Sequence, residues 1–173
     1  MVYVYVYLID LHNIKRRIAV ITKQTLEDFY KNKKIAVAGA SRNKKKYPRM
    51  LFDELKKRGY EVIPVNPNAS EIDGEKCYAR LQEIPGGVDA AVSVVPAAKQ
   101  ADIAEDAARA GVKVLWMHEH VMKGVSDPSA IAKCSEKGVE CITGFCPFMF
   151  IPETGFPHNF HKAIMKIFKA LPA

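Results

Sequence analysis

The chain has 173 residues, of which 49% are apolar and 26% charged, which excludes a disordered polypeptide and leaves room for one domain with a sizeable core. Four cysteines (Cys77, Cys134, Cys141 and Cys146) contain no C-x-x-C pair and form no disulfide framework of a small secreted domain, so a reducing, cytoplasmic setting is expected. The net charge of +7 suits an anionic partner, whether a small phosphate ligand, a nucleic acid or a membrane surface.

Met1 to Ile9 alternates Val and Tyr with the period of a strand. It is too short to cross a bilayer and lacks the basic start of a signal peptide. Residues 1–24 are therefore read as an extension, and residues 25–173 as a single domain. Thr25-Leu-Glu-Asp28 sets an acid three residues after a capping Thr and predicts a short helix to about Tyr30. Ile35 to Ala38 reads as a strand. It runs into Gly39, Ala40 and Ser41 and then the basic run Arg42-Asn-Lys-Lys-Lys46. Pro48 suits the first turn of a helix with Met50, Leu51, Phe52 and Leu55 on its apolar face, closed by Gly59.

Tyr60 to Val65 is the next predicted strand, and residues 66–87 read as loop, with turn signals at Asp73-Gly74 and Pro85-Gly86-Gly87. Val88 to Val95 is apolar throughout, as in a strand covered on both faces. A helix from Ala97 to Ala110, a strand from Val112 to Met117, a helix from about Ser126 to Gly138 and a strand from Val139 to Thr143 follow. A loop rich in Pro and Phe leads to a final amphipathic helix with Ile164, Ile167, Phe168 and Leu171.

This alternation predicts an α/β domain with a doubly wound parallel sheet and right-handed crossovers. Such sheets bind ligands outside the carboxyl ends of their strands. Those ends carry Gly39, Ala40, Ser41, Arg42, Lys44, Lys45 and Lys46; Val65, Asn66 and Pro67; Val95 and Pro96; Met117, His118, Glu119 and His120; and Gly144 to Pro147. Small residues let backbone amides approach a phosphate, and the basic side chains supply charge. Gly39→Val is accordingly expected to block a phosphate without unfolding the domain. The run is not a complete G-x-G-x-x-G fingerprint, and Asn66 and Pro67 stand where a dinucleotide enzyme places an acid on the ribose. That argues against NAD and leaves an NAD(P)-type oxidoreductase as the alternative.

Other chemistries are weaker. His118 and Cys146 make a Cys-His pair conceivable, but the expected role of both is polar loop and buried thiol. His118, His120, His158 and His161 do not define a metal site. A basic nucleic-acid module is compatible with the charge, yet no recognisable nucleic-acid-binding motif is present.

Taken in order, Gly39-Ala-Ser41, Lys57-Arg-Gly-Tyr-Glu-Val-Ile-Pro-Val-Asn-Pro67, Gly74-Glu-Lys-Cys-Tyr78, Ile84-Pro85, Val88-Asp89, Val95-Pro96, Gly111-Val-Lys-Val-Leu-Trp-Met117 and Gly144-Phe-Cys-Pro-Phe-Met-Phe150 resemble the small stand-alone CoA-binding proteins with a Rossmann-type fold. The resemblance runs from about Thr25 to the C-terminus, and the same fold forms the CoA-binding domain of the succinyl-CoA synthetase alpha subunit. It implies coenzyme A or an acyl-CoA bound across the strand ends. The loop from Gly39 to Arg42 would hold the phosphates, and Val65 to Pro67 with Val95-Pro96 would flank the adenosine. The synthetase has a lysine soon after the proline of the second cluster, where this chain has Asn68. The 3′-phosphate contact then falls to Arg42 or to Lys44, Lys45 and Lys46. The phosphohistidine domain of the synthetase has no counterpart here, so the resemblance implies binding, in a sensor, carrier or regulatory role, rather than ligation.

Overall fold

The computed structural model describes residues 23–118 and 127–151. The chain enters through α1 (Lys23–Phe29), followed by β1 (Lys34–Ala38), α2 (Tyr47–Lys57) and β2 (Glu61–Val65). Two short strands, β3 (Glu71–Ile72) and β4 (Glu75–Lys76), and a single 3₁₀ turn at Leu81–Glu83 come next. Then follow β5 (Ala90–Ser93), α3 (Ala97–Arg109), β6 (Val114–Met117), α4 (Pro128–Lys137) and β7 (Glu140–Ile142), with a second 3₁₀ turn at Pro147–Met149.

Five strands pair in parallel in the order β2-β1-β5-β6-β7. This is the doubly wound α/β sheet that the strand–helix alternation predicts. The chain moves outward from β1 to β2, crosses back to β5 and continues the other way. Strand order therefore reverses between β1 and β5, which opens a crevice at their carboxyl ends.

The sheet is buried on both faces because alternate residues of each strand enter different cores. Ile35, Val37, Val92 and Trp116 pack with Leu26 and Phe29 of α1 and Leu51, Phe52 and Leu55 of α2. Ala36, Ala38, Ala91, Leu115 and Met117 pack with Ala104 and Ala107 of α3 and Ala130 and Cys134 of α4. The small residues on this second face let the Ala-rich α3 sit close to the sheet.

Three expectations need correction. Thr25 does not cap α1, because that helix already runs from Lys23 and Thr25 is its third residue. Met50 is not on the buried face of α2; it is 48% exposed, and Arg49 beside it is 4% exposed. Arg49 is buried because its guanidinium holds Asp53 at 2.7 Å and Asp73 at 2.7 Å, while its stem packs below. Asp73 belongs to the β3–β4 hairpin, which lies within the stretch read as loop. Asp73 and Gly74 have φ of 57° and 78°, as a tight two-residue hairpin turn requires. The turn signal is therefore correct, but strands of two residues are too short to show a period.

Residues 1–22 and the amphipathic helix expected near residues 164–171 lie outside the described residues, as do Glu119, His120, His158 and His161. Among the described residues no helix is long and apolar enough to cross a membrane.

Candidate functional site

The crevice begins where β1 ends. Gly39 has φ of +87°, and a Cβ built there would lie 2.4 Å from the Val94 carbonyl oxygen and 3.0 Å from Val95 Cγ1. The ends of β1 and β5 thus approach too closely for any side chain. The expectation that Gly39→Val would leave the fold intact is overturned, because the glycine is demanded by backbone packing as well as by its φ.

The next two amides are committed to the fold. Gly39 N and Ala40 N both donate to the Val65 carbonyl, at 2.9 and 3.3 Å. Gly39 and Ala40 therefore shape the loop without turning their own N–H groups to a ligand. Beyond them the loop folds on itself. Asn43 N donates to Ser41 Oγ at 3.2 Å, Lys45 N to Asn43 Oδ1 at 2.9 Å, and Lys46 N to the Asn43 carbonyl at 3.0 Å. The amides of Ser41 and Arg42 have no such partner among the described residues. With the Lys44 amide, which likewise has no such partner among the described residues, they are the backbone donors this loop can offer an anion, with the exposed side chains of Arg42, Lys44, Lys45 and Lys46 around them.

The second cluster braces the first. Asn66 Nδ2 donates to the Ala40 carbonyl at 2.7 Å, and Asn66 Oδ1 accepts from Asn68 N at 2.8 Å. Asn66 is thus a tie between two loops, while Pro67 stays exposed at the rim. Burial pushes the Cys77 thiol up, and the Arg42 guanidinium acts in the opposite direction. Cys77 Sγ lies 3.7 Å from the Asn66 carbonyl oxygen. On the other bank Val95 is half-buried and Pro96 exposed, immediately before α3. Met117 is fully buried against α3 and α4 and has no surface to present to a ligand.

A second cluster lies at the ends of β6 and β7. Tyr47, the first residue of α2, stacks on His118 with ring centroids 3.8 Å apart and planes 5° from parallel. Its hydroxyl is 3.4 Å from Cys146 Sγ. Burial pushes the Cys146 thiol up, opposed by the Tyr47 hydroxyl and by the amides of Phe148 and Met149, which favour the thiolate. The loop that carries Cys146 is pinned from below: Trp116 Nε1 donates to the Phe145 carbonyl at 2.9 Å and Tyr30 Oη to the Pro147 carbonyl at 2.7 Å. Sequence reasoning placed His118 and Cys146 at neighbouring strand ends but missed Tyr47. An aromatic directly ahead of Pro48 was the available signal. Among the described residues no group of three or more His, Cys, Asp or Glu side chains is arranged to hold a metal.

The sequence and the overall fold match known proteins. Residues 33–152 match the family described as CoA binding domain. The chain belongs to this CoA-binding family. Coenzyme A is its cofactor, and its doubly wound sheet superposes on solved structures. The uncharacterized protein YneT of Bacillus subtilis is 31% identical over 121 residues, which covers 69% of this chain and 86% of YneT. The alpha subunit of acetate–CoA ligase (ADP-forming) II of Pyrococcus furiosus is 44% identical over 72 residues, 41% of this chain but only 16% of the subunit. A conserved hypothetical protein from Pyrococcus furiosus superposes with a TM-score of 0.58 at 40% identity, covering 66% of this CoA-binding chain and 95% of that one. A hypothetical protein from Pyrococcus horikoshii OT3 gives a TM-score of 0.68 at 27% identity, covering 78% and 92%.

Proposed function

We propose that the chain binds coenzyme A or an acyl-CoA along the carboxyl ends of the sheet and serves as an acyl-CoA carrier or sensor. In this reading the diphosphate rests on the amides of Ser41 and Arg42, with Lys44, Lys45 and Lys46 neutralising its charge. The adenosine lies between Asn66-Pro67 and Val95-Pro96, and Arg42 takes the 3′-phosphate. The pantetheine arm then leads toward β6 and β7.

The observation that carries this reading is the loop after β1. It is drawn onto β2 through the Val65 carbonyl and onto β5 through Gly39, which leaves the Ser41 and Arg42 amides at the strand-order reversal. The absence of an acid at the end of β2 weighs against a nicotinamide dinucleotide.

Isothermal titration with CoA, acetyl-CoA, NAD and NADP tests it. A saturable one-to-one interaction with CoA that survives moderate salt is expected. No CoA binding at millimolar ligand would overturn the reading, and a clear preference for NADP would replace it.

A further inference from the structure

The basic loop ends at Tyr47, the first residue of α2, where three reactive side chains meet. Tyr47 touches His118 at the end of β6 and Cys146 beyond β7. Cys146 lies beyond β7, yet its Sγ is 3.4 Å from the hydroxyl of Tyr47, which opens the helix that follows the Ser41 loop. The loop that would hold the diphosphate therefore leads, six residues on, to the border of the thiol. Cys146 is half-buried, whereas Cys77 and Cys134 are buried. Cys141 is half-buried too, but it packs on the opposite face of the sheet with the α3 and α4 side chains.

We propose that Cys146 accepts the acyl group of a bound acyl-CoA, so that the domain transfers acyl groups to itself. This rests on the coenzyme A reading above and extends it to a covalent step. Cys146 Sγ attacks the thioester carbonyl carbon. A new S–C bond forms, the bond from that carbon to the CoA sulfur breaks, and the thiol proton of Cys146 ends on the departing CoA sulfur. One thioester replaces another, so nothing is oxidised or reduced and no co-reactant is needed.

The surroundings suit that step. As the proton leaves, charge gathers on Cys146 Sγ, which the Tyr47 hydroxyl faces at 3.4 Å. Donors fixed in advance in a partly dry site stabilise such charge strongly. Tyr47 is held in place by its stack on His118, and the Cys146 loop is held by Trp116 and Tyr30. In the absence of a thioester, burial keeps the thiol protonated and sluggish toward reagents in bulk water.

The test incubates the full chain with acetyl-CoA and reads intact mass, with calorimetry for CoA run on the same preparation. A single acetyl adduct, removed by neutral hydroxylamine and mapped to Cys146, is expected; Cys146→Ala should lack it. Tyr47→Phe keeps the ring stack and removes the hydroxyl, and should slow adduct formation about tenfold or more. CoA binding by the parent chain without an adduct would overturn the acyl-transfer proposal and leave the binding reading standing. Absence of CoA binding would remove both. An adduct that persists in Cys146→Ala, or that forms equally fast in urea-unfolded chain, would also overturn the proposal. An unchanged rate in Tyr47→Phe would remove Tyr47 from the step.

Discussion

Gly39 and Arg42 sit three residues apart and do opposite work. Gly39 is needed by the protein itself: its φ of +87° alone costs an L-residue about 1–2 kcal/mol, before the contact with the Val94 carbonyl is counted. Gly39→Ala should therefore lower the unfolding free energy by at least about that amount. A variant as stable as the parent in urea would mean that the β1–β5 approach relaxes freely. Arg42 is exposed and should matter to the ligand only. If it holds the 3′-phosphate, Arg42→Ala weakens CoA roughly tenfold and leaves 3′-dephospho-CoA unchanged, because the lost contact is a charge-assisted hydrogen bond. Equal losses for both ligands would place Arg42 on the diphosphate instead. At this scale the sequence was only half legible. Gly39, Ser41 and Arg42 stand out by type, but nothing in the string shows that the Gly39 and Ala40 amides are occupied by Val65, or that Asn66 turns its side chain to the Ala40 carbonyl. Met117 stands at a strand end, where the pleat decides which face a side chain takes, and here it packs with the α3 and α4 side chains.

Strands and helices long enough to show a period were readable, and the short ones were not. The apolar run around β5 and the Ala-rich run of α3 mark themselves by composition, whereas the β3–β4 hairpin reveals only its turn. That hairpin is fastened to α2 through Arg49, whose planar head reaches Asp53 and Asp73 together. Lysine, a single point charge on a flexible stem, cannot reproduce that fork. Arg49→Lys is expected to loosen the hairpin, seen as faster limited proteolysis between Asn66 and Arg80; unchanged cleavage would show that packing and the Lys56–Glu75 pair at 2.6 Å hold it without the fork. Beneath the Cys146 loop, Trp116 is fully buried, meets Phe29 edge to face at 5.1 Å and bonds the Phe145 carbonyl. Trp116→Ala should cost about 3–5 kcal/mol by denaturant titration. Trp116→Phe should cost less, while releasing the loop that positions Cys146.

For the whole molecule, topology determines where a ligand goes, and charge favours its sign. The alternation of strand and helix made the doubly wound sheet legible, and the strand order then placed the crevice between β1 and β5 without any site motif. A ligand that binds only the folded state stabilises it by about 2.7 kcal/mol at a hundredfold excess over its dissociation constant. CoA should therefore raise the melting temperature in a concentration-dependent way, and NADP at equal concentration should not. The reverse ranking would reassign the crevice.

The loop from Ser41 to Lys46 has a consequence for how fast and how tightly such a ligand is held. Its turns are closed by its own side chains, Ser41 Oγ to Asn43 N and Asn43 Oδ1 to Lys45 N, and its root is fixed by Asn66. The conformational entropy of shaping this cradle is thus lost during folding, not during association. If this loop is the phosphate site, as proposed, the anion meets a receptor already shaped, and the surrounding lysines hasten its encounter.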